Sequence, residues 1–515
     1  MRAVGVRRWW ALGAVMLAVL GVGMDITVLA VALPTLSGSL KASESDLQWF
    51  SSAYTLVLAA MMLPAGLLGD RYGRKKVLLW SLALFAVGSL ACAYSRSAAE
   101  FIGARILLGF AGAGVVVMAI SALTVLFSRE ERPRAVGVWA AVNMIAFPVG
   151  PILGGWLLSH YWWGWVFLMN VPVALVGFAA VAALVPESAS PDRPGFDIIG
   201  IVSSSAGLVG VTFGFIEAGQ RGWGSAGAIG PLLAGLALIV MFFWWERIAA
   251  RRPGGQPLVD LGLFRSASFT WGVILFTVLT LALVGLLFTM PQYFQGVMGT
   301  SPEGSGIRLL PAVGGLMAGL LPAAWLAKVI GPRLTIAAGF LVLAAGLGVG
   351  AATTLSSGEG FIAAWMAVAG VGTGMTMATA ASAALGQLSE ERAGVGSGVL
   401  QALKNAGAPL GAAILGSALS SAYVSRLDLA GLPGAAAQAV RGSVFGGVAV
   451  ARLLHSPVLL YSVRGAFVHG VDIALAVSVG FALLGMVLSL VFMPGRADRL
   501  PPAAEDVTGD ERVAA

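Results

Sequence analysis

Charge is what this chain has least of. Only 11% of its 515 residues are Asp, Glu, Lys or Arg, less than half of the roughly 25% usual in soluble domains. So few ions cannot clothe a water-exposed globule of this size, so most of the surface must meet lipid. Cys92 is the single cysteine, which excludes a disulfide within the chain. The three histidines, His160, His455 and His469, form no cluster with metal-ligand spacing, so no metal is expected. No G-x-x-x-x-G-K-[ST] loop exists to cradle ATP phosphates. No catalytic constellation and no cofactor motif is present, so an enzyme is not expected, and any work must draw on an ion gradient or on the cargo's own gradient.

What the chain has in abundance is apolar sequence, 58% of residues, and 70 glycines. Small residues let helices pack closely where no hydrophobic effect pushes them together. Apolar runs long enough to cross about 30 Å of hydrocarbon fall into fourteen spans. The first seven lie near 11–36, 50–69, 77–94, 101–126, 135–158, 165–185 and 197–217. The other seven lie near 226–246, 268–291, 306–328, 333–354, 360–386, 394–420 and 470–493. The first follows Arg2, Arg7 and Arg8, is too long for a signal-peptide core and lacks a credible cleavage site, so it reads as a retained span.

Loop charges give the orientation. With the N-terminus inside, 21 bases fall on the inner side and 8 on the outer, with Arg105 and Lys404 within spans. Both termini are therefore expected in the cytoplasm. The net charge of +7 is accounted for by these loops, without nucleic acid as a partner.

An internal repeat divides the spans. Gly112, Gly114 and Glu130-Glu131-Arg132 recur 260 residues later as Gly372, Gly374 and Glu390-Glu391-Arg392. After one inserted residue Pro148 and Gly150 recur as Pro409 and Gly411. Span 4 thus corresponds to span 12 and span 5 to span 13. The expected organisation is an all-α membrane protein: a six-helix bundle over 1–190, two inserted spans and a linker over 191–265, and a second six-helix bundle over 266–495. The second bundle carries a long outer loop, 421–469, broken at Pro433, Gly446-Gly447 and Pro457, which reads as a short helical hairpin near the membrane surface. Residues 496–515 read as a disordered tail.

One polar turn stands out between spans 2 and 3: G-L-L-G-D-R-Y-G-R-K-K, residues 66–76. Gly66, Gly69 and Gly73 permit close approach and reversal, and Asp70 sits among Arg71, Arg74, Lys75 and Lys76. This turn resembles the signature loop of the major facilitator superfamily, G-x-L-x-D-R-x-G-R-K, with every fixed position present. We expect Asp70 to pair with nearby bases and to face the start of span 13 near Val395 to Ser397, locking the two halves on the inner side. The matching turn of the second half, Leu326 to Arg333, lacks the acid.

Ionisable groups at membrane depth are costly and mark function by default. Asp25 lies halfway along span 1 in G-M-D-I-T-V-L-A-V-A-L-P, and Arg105 lies one turn into span 4 in A-R-I-L-L-G-F-A-G-A-G. A mid-membrane carboxylate favours its neutral form and can gain and lose a proton; Arg105 could instead snorkel to the interface. The two stretches resemble span 1 and span 4 motifs of fourteen-span drug:proton antiporters. That resemblance implies that Asp25 binds a proton or cation and that Arg105 sets its protonation. Glu217, near the outer end of span 7, is an accessory candidate or a solvated helix end.

Span 5 holds Pro148 and G-P-I-L-G-G, Gly150 to Gly155, which predicts a kinked, closely packed helix. Its Gly150, Pro151, Gly154 and Gly155 resemble the superfamily's antiporter motif, found in exporters. The resemblance extends over nearly the whole chain. It implies a monomeric proton-coupled exporter of lipophilic cations such as quaternary ammonium biocides and dyes, working by alternating access in a bacterial cell membrane. Met24, Tyr54, Asn143, Phe147 and Met290 are candidate cavity walls. A dedicated exporter of an endogenous antibiotic, lipid or metabolite is the alternative, and a non-transporting sensor or assembly factor a remote one.

Overall fold

A computed structural model of the chain describes residues 2–127, 131–188, 197–252, 258–259, 261–386, 390–429 and 431–495. Among the described residues 13 helices are long and apolar enough to cross a membrane. The Arg132–His160 helix occupies the remaining fifth span. Serines begin several of them. Ser43 and Asp46 form a reciprocal cap at the start of span 2 (Glu44–Tyr72), and Ser97 accepts from Glu100 N ahead of span 4 (Ala98–Leu126). Each cap satisfies amides that the first helical turn leaves without partners.

The halves pack by the same rule. In the first, span 4 lies on spans 2 and 3, span 1 on span 5, and span 6 on spans 1 and 3; in the second, span 12 lies on spans 10 and 11, span 9 on span 13, and span 14 on spans 9 and 11. Each half encloses its own apolar core. Spans 7 (Ile198–Arg221) and 8 (Ala226–Ala249) pair with each other, and span 7 also lies against spans 2 and 13. Trp80, Leu321 and Val458 point away from the bundle, as side chains facing lipid do. The Arg8 side chain reaches Glu131 at 2.6 Å, tying the first span to the turn before the fifth.

Several helices overrun the lengths that hydropathy gives. Span 1 is Arg2–Ser39, span 13 is Glu390–Ser425, and span 14 starts at Pro457 instead of near 470 and runs to Phe492. Hydropathy sees only the part that must be apolar, whereas backbone hydrogen bonding continues into polar residues. The loop placed at 421–469 is correspondingly shorter. It holds the helical hairpin Gly434–Gly442 and Val444–Leu453, with Val440, Val444 and Ala451 buried. The hairpin packs on span 14 and on the wide helical turn Tyr293–Val297 after span 9. We call this the hairpin end and the opposite one, carrying residues 66–76, the basic end. The tail 496–515 lies outside the described residues.

Candidate functional site

Asp25 and Arg105 meet in the middle of the first half. They form an ion pair between carboxylate Oδ2 and guanidinium Nη1, and the residues are 2% and 1% exposed. Arg105 Nε donates to Phe50 O at 3.0 Å, and its guanidinium carbon stands 4.4 Å from the centre of the Tyr54 ring. Asn170 Nδ2 donates to the other Asp25 oxygen at 3.3 Å. Four helices therefore hold one carboxylate, and a planar guanidinium suits the task because it can bond a carboxylate and stack on a ring at once. Snorkelling of Arg105 is overturned. At this depth an ion pair, a carbonyl and an aromatic face satisfy the cation better than a distant interface.

A small cavity lies where the halves meet. Ile26, Leu29, Ala30 and Leu33 of span 1 face Val284, Leu287 and Phe288 of span 9, with Ser51, Thr55, Arg105, Ala408 and Ala412 around them. Its volume is about 60 Å³, room for a few water molecules and far below the roughly 300–1,000 Å³ of a drug site. Ile26 in this wall is 38% exposed, so the cavity is not sealed, and a drug-sized cargo requires the halves to move further apart. Met24, Tyr54 and Met290, expected on the wall, are instead 7%, 0% and 1% exposed inside the two cores. The phase of span 1 explains Met24: positions 26, 29, 30 and 33 share the face toward the second half, and 24, 25 and 28 point into the first. Asn143 and Phe147 have side chains outside the described set.

Span 5 is clamped on both sides. A Cβ on Gly150 would overlap Thr27 Oγ1, and one on Gly154 would lie 2.7 Å from Val28 Cγ1, so these glycines seat span 5 on the turn after Asp25. Thr27 Oγ1 donates to Ala146 O at 3.2 Å across the same contact. Gly155 faces the other half, where a Cβ would stand 2.7 Å from Pro302 O; Gly306 there packs on the Pro151 carbonyl. One helix thereby links the environment of Asp25 to the seam between halves.

At the basic end Asp70 accepts from Arg74 Nε at 3.1 Å and from Nη2 at 2.9 Å. Gly73 turns the chain with φ +109°, a region where side chains are strained. A Cβ there would also meet the Glu187 carboxylate at 2.6 Å. Glu187, just after span 6, accepts from Lys75 N at 3.1 Å, and Lys75 Nζ donates to Ala182 O at 2.6 Å. Gly69 lies against Met118, whereas the nearest atom to a Cβ on Gly66 is Val117 Cγ1 at 3.6 Å. Arg71 stands over the Tyr72 ring at 5.8 Å. The side chains of Val395 and Ser397, expected opposite Asp70, lie outside the described set. A half-buried i,i+4 pair such as Asp70 with Arg74 is worth about 1 kcal/mol. Asp70→Asn is therefore expected to leave the fold intact and to lower turnover severalfold with KM unchanged, as measured by dye efflux against dye concentration.

A family model described as Major Facilitator Superfamily matches residues 15–197 and 195–412. The chain belongs to the major facilitator superfamily. It is 31% identical over 508 residues to the "Tetracenomycin C resistance and export protein" of Streptomyces glaucescens, covering 96% of this chain and 94% of that one. It is 32% identical to the "Multidrug efflux pump LfrA" of Mycolicibacterium smegmatis, covering 90% and 92%. Identity is also 32% to the "Methyl viologen resistance protein SmvA" of Salmonella typhimurium, covering 96% and 99%. Among solved structures, a bacterial homologue of the human lysosomal transporter Spinster superposes with a TM-score of 0.69 at 17% identity, covering 96% and 99%. The fold is the superfamily's, with two six-helix bundles and two added spans.

Other sequence candidates fall elsewhere. Glu217 pairs with Arg221 at 3.0 Å at the hairpin end of span 7, away from Asp25. Three further residues were not among the sequence's site candidates, although Lys404 was placed within a span. Asn170 was visible in the span 6 stretch but carries no charge. Glu187 lies in the irregular segment that follows span 6. Lys404, on the face of span 13 that carries Ala408 and Ala412, places Nζ 5.8 Å from the centre of the Phe276 ring. No hydrogen bond or ion pair of Lys404 is found among the described residues.

Proposed function

We propose that this major facilitator protein is a proton-coupled efflux antiporter for lipophilic compounds, cations among them, with its hairpin end outside and both termini in the cytoplasm. The observation that carries the reading is the buried Asp25–Arg105 pair, whose arginine also forms part of the wall between the halves. Mid-membrane charges mark transport pathways, and a proton on Asp25 would release Arg105 toward the cavity. Export is supported by the small-residue contacts of span 5 and by the export, efflux and resistance activities for which the relatives are named. The working unit is a monomer, and cargo and proton take turns as the two halves rock about the central cavity.

A second reading, a dedicated exporter of an endogenous metabolite, is favoured by Lys404. A cation with no ion pair among the described residues, on the face of span 13 that carries Ala408 and Ala412, repels a cationic cargo and suits one with an acidic group. Everted membrane vesicles with an imposed pH gradient decide between the two. Uptake of several unrelated dyes and quaternary ammonium compounds, abolished by collapsing the gradient, supports the broad antiporter. Uptake confined to acidic compounds supports the dedicated exporter, and no uptake of either class under a gradient overturns proton coupling.

A further inference from the structure

The seam between the halves holds a second carboxylate, far from Asp25. Glu44 opens span 2 at the hairpin end, yet it is 4% exposed; Gln48, one turn on, is 1% exposed and Gln292, at the end of span 9, 0%. Gln292 Nε2 donates to Phe288 O at 3.1 Å and to Glu44 Oε1 at 3.4 Å. Those bonds fix the amide, and its Oε1 is left buried with no donor; Gln48 Oε1 is in the same condition. Gln48 in turn fits against span 13, where a Cβ on Gly416 would lie 2.7 Å from its Cδ. Span 2 belongs to one half and spans 9 and 13 to the other, so these groups join only when this end is shut.

No ion pair of Glu44 is found among the described residues. Lys41, Arg426 and Arg452 on the surrounding elements are exposed. Glu217 is held by Arg221, and Asp46 caps Ser43. Tyr423 of span 13, the titratable group facing Glu44, spends its hydroxyl on Val440 O at 2.7 Å, in the hairpin.

We propose that Glu44 is a second proton-binding site of the transport cycle: protonated, it seals the outer seam between Gln292 and Gln48, and ionised, it opens that seam to external water. The proposal rests on the outward orientation of the hairpin end and on the antiport reading above. An ionised carboxylate taken out of water needs strong donors, and here it finds one long bond from a neutral amide. A neutral carboxyl adds one O–H donor, which one of the two unmatched amide oxygens can accept. The proton comes from external water as the empty carrier closes and returns to that water when the seam reopens. It is therefore not among the protons carried across.

The test uses Ser52→Cys in the full-length protein in right-side-out vesicles. Ser52 is 0% exposed and follows Glu44 and Gln48 on one helix face, and Cys92 is also 0% exposed, so the native thiol stays silent. Labelling by a membrane-impermeant maleimide is normalised to Gly38→Cys, an exposed site at the same end, which cancels the pH dependence of thiol ionisation. Normalised labelling of Ser52→Cys is expected to rise about tenfold between external pH near 5.5 and near 8. Glu44→Gln should hold it at the low level throughout, and Glu44→Asp should keep the response. Labelling that ignores external pH in the otherwise native protein overturns the proposal even if Glu44→Gln fails to fold, and so does a response that survives Glu44→Gln. Labelling from the opposite side only would instead refute the orientation, and pH-gated labelling without gradient-driven uptake would refute the antiport reading alone.

Discussion

Asp25→Asn is expected to reduce gradient-driven efflux of a monovalent cation such as ethidium to background. The substitution keeps the shape and the contact with Asn170 but removes the group that can exchange a proton. It also leaves Arg105 buried without its counter-ion. Breaking one side of a buried pair costs about 3–5 kcal/mol, so lower thermal stability accompanies the loss and by itself would confuse the reading. Combining Asp25→Asn with Arg105→Gln removes the stranded charge. Size-exclusion profiles should recover in the double variant while transport does not, because packing can be restored without restoring proton exchange. A double variant that pumps against a pH gradient would assign the pair to architecture and take Asp25 out of coupling.

Gly150→Val is expected to abolish transport from a different direction. Its Cβ would overlap the Thr27 side chain at Oγ1 and lie 3.3 Å from the backbone carbonyl Met24 O, in the turn that carries Asp25. Span 1 must then withdraw from span 5, breaking the Thr27–Ala146 hydrogen bond and moving Asp25 off Arg105. Overpacking of this kind costs about 1–3 kcal/mol. Gly38→Ala is the matched control, since nothing lies within 4 Å of a Cβ there; it should stay within about 0.5 kcal/mol of the native protein. Equal efflux by the Gly150→Val and Gly38→Ala variants, at equal expression, would show that the close seating of span 5 is immaterial.

Sequence by itself determined the count and order of the spans, because about 20 apolar residues are needed wherever a helix crosses lipid, and the pairing of the halves, because the glycine and proline spacing repeats. It also singled out Asp25, Arg105 and the glycines of span 5, since a charge at membrane depth or a stripe of missing side chains is visible without coordinates. Tertiary structure decided which way each side chain points. Met24 and Tyr54 differ from Ile26 and Ser51 by a fraction of a helical turn, which hydropathy does not resolve, and that rotation separates core from cavity wall. It also brought Asn170 to Asp25 and Gln292 to Glu44, contacts between residues 145 and 248 positions apart. Such pairings depend on how helices cross, and no local pattern along the chain encodes them.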